Sequence, residues 1–301
     1  YDVKIFEAFS ASGLRSIRYA LEVPGISEII ANDIDPHAVE VIDRNIVINK
    51  VQNIVKSSKA DASIILESKK NEYQVIDLDP YSTAAPFIDG AVKAISDGGL
   101  LCVTSTDGRS LCGQQPDTAF AWYNTMTLNA VFTHEFGIRT LLSTIITAAA
   151  RYGRSVEPLL SLSANFYFRV FVRIRDKGGD SKVTAASTSL VFYSPDSGAF
   201  WLQPFGQLQK KGTSRSVKNA TLDIPSNKDP WTGGKLKIGG PIYSGQLHNK
   251  EFCQKLMELL PTMPYITTND RIKATLYTCM QEIDSPLYYS IDDLCGIVRA
   301  S

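Results

Sequence analysis

Gln74-Val75-Ile76-Asp77-Leu78-Asp79-Pro80-Tyr81 is an apolar-weighted run that closes on two carboxylates, a proline and an aromatic ring. The run suits a buried parallel strand. Such strands do not carry acids without reason, because an unpaired buried charge is costly. In open α/β sheets, ligands bind outside the carboxyl ends of strands. An acid, a proline with fixed φ and a flat ring at such an end make a seat for a planar amino group. Asp79 and the carbonyls near Pro80 accept hydrogen bonds there, and Tyr81 stacks. The plain alternative is an Asp-Pro turn that ends a strand.

The residues on the N-terminal side supply a sheet for this strand. Val3 to Ala8 reads as a strand, Phe9 to Arg15 as a small-residue loop, and Ser16 to Leu21 as a helix. A strand, a tight loop and a helix start bring backbone N–H groups to a ligand. The loop has one glycine, Gly13, where a dinucleotide fold has GxGxxG, so it suits a ligand without phosphates. Ser27 to Ala31 is a second strand, with Asn32-Asp33-Ile34-Asp35-Pro36 at its end. An acid there accepts from ribose hydroxyls: Asp33 is the first choice and Asp35 the second. Asp35-Pro36 also has the form of a helix N-cap followed by proline at the first helical position, and a helix is predicted over 37–49. After a weak third strand at Ile54-Val55, Asp61 either accepts from an adenine amino group or caps a helix over 62–67. A helix over 82–96 broken by Asp97-Gly98-Gly99 and a strand over 100–104 complete the alternation. Strand and helix alternating over about 105 residues predict a parallel, doubly wound sheet. Further on, 137–152 reads as a helix and 159–174 as two edge strands.

The chain has 301 residues, 44% hydrophobic, with mean hydropathy −0.06. That is the composition of a globular protein with room for two domains. No run of about 18 apolar residues implies a membrane span. There are 31 basic and 31 acidic residues, so nucleic-acid binding has to rest on a local patch. Five cysteines without a CxxC pair predict a reducing compartment and neither a disulfide framework nor a metal cluster. The chain opens inside a strand, and it is expected to be a fragment lacking its natural N-terminal segment.

Several motifs together resemble the tRNA guanine-26 N2-dimethyltransferases, the Trm-one family. They are Phe6 to Ala20, Ala31-Asn32-Asp33, Asp77 to Tyr81, Gly98 to Thr104, His134-Glu135 with Arg139 to Leu142, Phe168 to Arg173, and Gly239 to Ile242. They occur in the family's order over nearly the whole chain. The resemblance implies a Rossmann-like class I methyltransferase that moves one or two methyl groups from S-adenosylmethionine to the exocyclic N2 of guanine 26 in tRNA. It implies that Ser10, Ala11, Ser12, Gly13 and Arg15 hold the methionine part of the cofactor. Asp33 then holds its ribose, and Asp61 with Ala62 its adenine. Asp79, Pro80 and Tyr81 receive the guanine, with Asp79 taking up the amine proton and Tyr81 stacking on the flipped base. It also implies an intracellular protein, placed first in the nucleus, with mitochondrion and cytosol as alternatives. Two departures stand out. Ser82 replaces the glycine usual after the aromatic, adding a side chain at a tight turn. Ser194-Pro195-Asp196-Ser197 stands where many eukaryotic members carry a CxxC zinc pair, so no structural metal is expected.

Beyond the sheet, Asp176-Lys177-Gly178-Gly179-Asp180-Ser181 is a polar break. It divides a cofactor domain, residues 1–176, from a smaller α/β RNA-binding domain, residues 177–301. Leu190–Tyr193 and Ala199–Leu202 read as a hairpin. Residues 210–237 hold seven bases (Lys210, Lys211, Arg215, Lys218, Lys228, Lys235, Lys237) and two acids (Asp223, Asp229), a net 7 − 2 = +5. This stretch is the candidate for phosphate contact; the alternative is a solvated loop. Helices are predicted over 249–260 and 269–280, and another from Ser290. His134-Glu135 reads as structural. Three other functions stay open: an adenine amino-methyltransferase of DNA or RNA, a tRNA-binding protein with impaired catalysis, and a nicotinamide-dependent oxidoreductase, against which the single-glycine loop counts.

Overall fold

The computed structural model describes residues 2–176, 181–212 and 214–300. The chain alternates as the apolar spacing predicts: β1 (Val3–Glu7), α1 (Leu14–Glu22), β2 (Ile26–Asp33), α2 (Pro36–Ile48), β3 (Val55–Lys59), α3 (Ala62–Ser68), β4 (Tyr73–Leu78), α4 (Ala85–Ala94) and β5 (Ile95–Ser105). After α5 (Gly108–Leu111), α6 (Pro116–Tyr123) and α7 (Thr133–Arg151) come β6 (Ser155–Ala164) and β7 (Tyr167–Arg175). The seven strands lie in the order β3-β2-β1-β4-β5-β7-β6. The pairs β1–β2, β1–β4, β2–β3 and β4–β5 are parallel. The order reverses between β1 and β4, the kind of switch point where α/β sheets bind ligands.

The fifth strand departs from the sequence reading. The predicted helix over 82–96 stops at Ala94, and β5 already begins at Ile95. Asp97-Gly98-Gly99 therefore lies inside the strand rather than ahead of it. Gly98 takes φ +75°, and a Cβ on Gly99 would stand 3.0 Å from the Gln74 carbonyl oxygen. The glycines let β5 follow β4 through a register shift between Tyr73 and Val75.

Contacts within the chain form two compact units. The first takes residues 1–106, 145–157 and 171–181; the second takes 107–144, 158–170 and 182–301. Most of the expected break at Asp176–Ser181, residues 177–180, lies outside the described residues. The first unit has a core of Ile5, Ile17, Ile29, Ala31, Ile42, Ile46, Val51 and Val55, joining β1, β2 and β3 to α1 and α2. In the second, β8 (Thr188–Tyr193), β9 (Phe200–Pro204) and β12 (Lys237–Tyr243) form a three-stranded sheet, and β10 (Gly206–Lys211) and β11 (Ser214–Asn219) a hairpin. Its core holds Leu128, Phe132, Phe136, Val191, Ile242 and Leu287. The last helices are α8 (Lys250–Leu259), α9 (Asn269–Gln281) and α10 (Ile291–Ala300).

Candidate active site

The parallel strands bring the ends of β1, β2, β3 and β4 to one edge of the first unit, and the loops there are tied together. Asn32 donates from Nδ2 to the Ala8 and Ala60 carbonyls, at 3.1 and 3.0 Å, which joins the ends of three strands. Ser10 N–H donates to the Asn32 carbonyl and Ala8 N–H to that of Asp77. Gly13 begins α1 in the left-handed region, φ +72°, where glycine is unstrained. The Ser12 carbonyl accepts from Asn45 Nδ2 at 2.9 Å, and Ser10 turns its hydroxyl inward to the Glu7 carbonyl at 3.1 Å.

Asp33 ends β2, half-buried. Its Oδ2 accepts from Ala11 N–H at 2.9 Å and its Oδ1 from Asp35 N–H at 3.0 Å. Both oxygens are oriented by backbone, and each retains a further lone pair. Asp35 is the N-cap of α2, accepting from His37 N–H at 2.9 Å with Pro36 beside it. Asp61 caps α3 in the same way through Ser63 N–H at 2.8 Å, and Ala62 is buried behind it.

At the switch point three carboxylates face one guanidinium. Asp77 is fully buried and Glu7 is 3% exposed, while Tyr81 is 98% exposed. Arg15 Nη1 lies 3.2 Å from Asp77 Oδ2, and its Nη2 lies 2.6 Å from Asp79 Oδ2. Nη1 also lies 3.9 Å from Glu7 Oε1. Arg15, expected among the cofactor residues, is thus turned toward the acids of β1 and β4. Tyr19 donates to Asp77 Oδ2 at 3.2 Å. Glu7 Oε2 accepts from both the amide and the hydroxyl of Ser16. Burial pushes the Glu7 carboxyl up to about 7, against the opposing pull of Ser16 and Arg15. Burial works against the charge on Arg15, yet Asp77, Asp79 and Glu7 hold its pKa above the ordinary value. Sequence reading missed Glu7. Its signal was an acid inside the apolar run of β1, the same signal that drew attention to Asp77.

The loop after β4 is fixed on its far side by β5. Ser82 N–H donates to Thr106 Oγ1 at 2.9 Å, and Thr106 N–H donates to the Ser82 carbonyl at 2.8 Å. Ala84 N–H donates to Ser105 Oγ at 3.1 Å. Ser82 takes φ +68°, the left-handed conformation that the usual glycine would adopt without a Cβ penalty.

The second unit places four of the seven basic residues, Lys210, Lys211, Arg215 and Lys218, on the β10–β11 hairpin. Lys210 stands directly opposite Arg215, and Lys218 opposite Gln207; like charges facing across a ladder repel. Lys211 ends β10, Lys235 pairs with Lys228 in an isolated bridge, and Lys237 begins β12. Trp231 stacks on Trp201 with centroids 5.8 Å apart. The Ser194-to-Ser197 turn and the 229–232 turn converge on the buried Asp229. Its Oδ2 accepts from both serine hydroxyls at 2.5 Å, and its Oδ1 from Trp231 and Thr232 N–H at 2.8 and 3.3 Å. Burial alone would raise this carboxyl; the four donors outweigh it and hold it at about 2. His134 stacks on Phe168, and Glu135 pairs with Arg139 at 2.7 Å and accepts from Leu287 N–H at 2.7 Å. Both therefore have structural roles.

Among the described residues one His, Cys and acid group comes together: His248, Cys279 and Glu282, whose ligand atoms all lie within 4.8 Å. They line a cavity of about 770 Å³ within the second unit. His248 Nδ1 accepts from Ser161 N–H at 3.3 Å, which puts the ring proton on Nε2, 3.0 Å from Glu282 Oε2. Burial pushes the Cys279 thiol up to about 12, with Glu282 adding to the shift. Within the group, His248 and Glu282 are joined by a hydrogen bond.

Comparison with known proteins sets this geometry beside a family. A family model described as N2,N2-dimethylguanosine tRNA methyltransferase matches residues 1–301. The tRNA (guanine(26)-N(2))-dimethyltransferase of Schizosaccharomyces pombe is 40% identical, over 98% of this chain and 55% of its own length. The Homo sapiens enzyme of that name is 38% identical, over 99% and 46%. The mitochondrial one of Saccharomyces cerevisiae is 37% identical, over 99% and 55%. The chain therefore spans about half the length of the curated relatives it matches. Trm1 from Pyrococcus horikoshii, solved in complex with S-adenosyl-L-methionine, superposes with a TM-score of 0.82 at 26% identity, covering 99% of this chain and 76% of that one.

Proposed function

The chain belongs to the N2,N2-dimethylguanosine tRNA methyltransferase family, and from that premise we propose that it transfers one or two methyl groups from S-adenosylmethionine to N2 of guanine 26 in tRNA. The observation that carries the reading is Asp79-Pro80-Tyr81 at the carboxyl end of β4, beside the switch point, with an oriented acid and an exposed ring. The residues present fit the cofactor. Asp33, with a free lone pair on each oxygen, suits a ribose, and Asp61 and Ala62 on the next strand end suit an adenine. The single-glycine loop of Ser10, Ala11, Ser12 and Gly13 suits a group without phosphates. When bound, the cofactor supplies an electrophilic methyl on a sulfonium and leaves as a neutral thioether.

The guanine N2 lone pair is delocalised into the ring, so the amine is a poor nucleophile. Asp79 accepts a hydrogen bond from the amine N–H and restores electron density to the nitrogen. As the N–C bond forms, the amine proton passes to Asp79 Oδ1. Tyr81 stacks on the base after it leaves the tRNA helix. Glu7 and Asp77, held inward by Ser16, Tyr19 and Arg15, do not touch the base in this reading. The hairpin bases Lys210, Lys211, Arg215 and Lys218, with Lys235 and Lys237 beyond it, contact phosphates. The protein works inside the cell, with the nucleus the first choice of compartment and mitochondrion and cytosol the alternatives.

The test is methyl transfer from labelled cofactor, by the full-length protein, to two unmodified tRNAs that differ in having guanine or adenine at position 26. Label on the guanine tRNA alone is the expected result. Label on the adenine tRNA would point to an adenine amino-methyltransferase. Label on neither, with tRNA still bound, would make the protein an RNA-binding one. Asp79→Ala is expected to abolish transfer while keeping tRNA affinity.

A further inference from the structure

Arg15 belongs to the first turn of α1, yet its guanidinium is spent on strand ends. One nitrogen is anchored at 3.2 Å on the fully buried Asp77, which Tyr19 also holds at 3.2 Å. The other reaches Asp79 at 2.6 Å, the shortest ion pair of the cluster. Asp79 Oδ1 has no partner among the described residues. Asp79 lies beyond the last residue of β4, so the strand ladder does not fix its side chain. A pair between side chains about one-third exposed, 34% for Arg15 and 31% for Asp79, adds little to stability. Its effect is geometric.

We infer that Arg15 is a positioning residue. It holds the Asp79 carboxylate by Oδ2, so that Oδ1 alone is presented to the target amine, and Asp77 with Tyr19 fix the guanidinium that does so. This rests on the reading that Asp79 takes up the amine proton, and it assigns Arg15 to the base rather than to the cofactor. The rigid planar fork is what the task needs: one group must meet two carboxylates at two distances at once. A lysine ammonium is a single point charge on a flexible stem and cannot bridge both. Misplacing a reacting group by about 1 Å can cost on the order of a hundredfold in rate.

The experiment uses the full-length protein and compares Arg15→Lys, Arg15→Ala, Tyr19→Phe and Asp79→Asn with wild type. Turnover on guanine-26 tRNA is measured at saturating substrates, and cofactor Kd separately by calorimetry. In Arg15→Lys, kcat is expected to fall roughly 10- to 100-fold, while cofactor Kd and tRNA KM stay within about threefold. Guanidinium ion restores part of the turnover of Arg15→Ala, and methylammonium does not. Tyr19→Phe, which leaves Arg15 in place, lowers kcat by a smaller factor with cofactor Kd unchanged, and serves if the Arg15 variants do not fold. A cofactor Kd weakened tenfold or more, with kcat kept at saturation, would overturn the inference and return Arg15 to the cofactor. So would wild-type kcat in Arg15→Lys or, if the Arg15 variants do not fold, in Tyr19→Phe. Asp79→Asn separates the two claims. If it turns over like wild type, the reading of Asp79 is wrong. If it is inactive while Arg15→Lys is not impaired, only the inference about Arg15 fails.

Discussion

Ser82 and Glu7 show how much single positions carry at this site. Ser82 sits at φ +68° with its amide and carbonyl both bound to Thr106. The conformation costs an L-residue about 1–2 kcal/mol, of which a glycine returns part to the unfolded chain as entropy. Ser82→Gly is therefore expected to stabilise the protein by roughly 0.5–1 kcal/mol, read as a higher midpoint in urea. Glu7 titrates the other way from most carboxylates. Its folded value, about 7, is raised above the ordinary 4.5. Its contribution is therefore fully present below about pH 4.5 and is lost as pH rises through 7. Against Glu7→Gln, which cannot ionise, wild type is expected to lose on the order of 2–3 kcal/mol of stability between pH 4.5 and 8. Denaturant titrations at the two pH values check this, and a constant difference would mean that Glu7 stays ionised throughout.

The β10–β11 hairpin and the turns around Asp229 are elements whose charges have opposite fates. In the hairpin, Lys210 faces Arg215 across the ladder, and like charges placed directly opposite repel. Replacing Lys210, Lys211, Arg215 and Lys218 by Gln is expected to weaken tRNA binding and lower the slope of log K against log salt by about 3. The fold should be retained, because these side chains are exposed. Filter-binding at several salt concentrations tests it. Asp229 is a charge used for structure, with four donors converging on its two oxygens. Its folded value of about 2 is depressed below the ordinary 3.8. The stability it adds is therefore present above about pH 4 and is lost as pH falls toward 2. Asp229→Asn is expected to cost roughly 2 kcal/mol at pH 7 and little at pH 2, measured by thermal unfolding at both.

Across the whole molecule, charge and thiols are distributed unevenly. The net charge is zero, yet residues 210–237 carry +5 and the remainder −5. Affinity for RNA should therefore depend on one segment rather than on the protein's average field. Cys102, Cys253 and Cys279 are buried, Cys112 is half-buried and Cys295 is exposed. Burial raises the thiols of Cys112, Cys253 and Cys279, which suppresses the reactive thiolate. In this chain a thiol reagent at pH 8 is expected to modify Cys295 first and the three buried cysteines only on unfolding, as peptide mass mapping would show.

The alternation of strands and helices was legible because period and punctuation are local properties of the chain. Val3 to Ala8, Pro36 after Asp35 and Asn249 before α8 each announce their element without knowledge of its neighbours. The acid-bearing end of β4 was legible for the same reason: an acid breaking an apolar run stands out wherever the run folds. The extent of β5 was not, because Asp97-Gly98-Gly99 has the composition of a turn, and the register with β4 makes it strand. The two units were not, since residues 145–157 and 171–181 return to the first unit after the chain has left it. The direction of Arg15 was not, since its partners lie 62 and 64 residues further on. Sequence specifies which groups exist and which local backbone they favour. Which carboxylate a guanidinium meets is fixed by the packing of distant strands, through long-range contacts that no local pattern records.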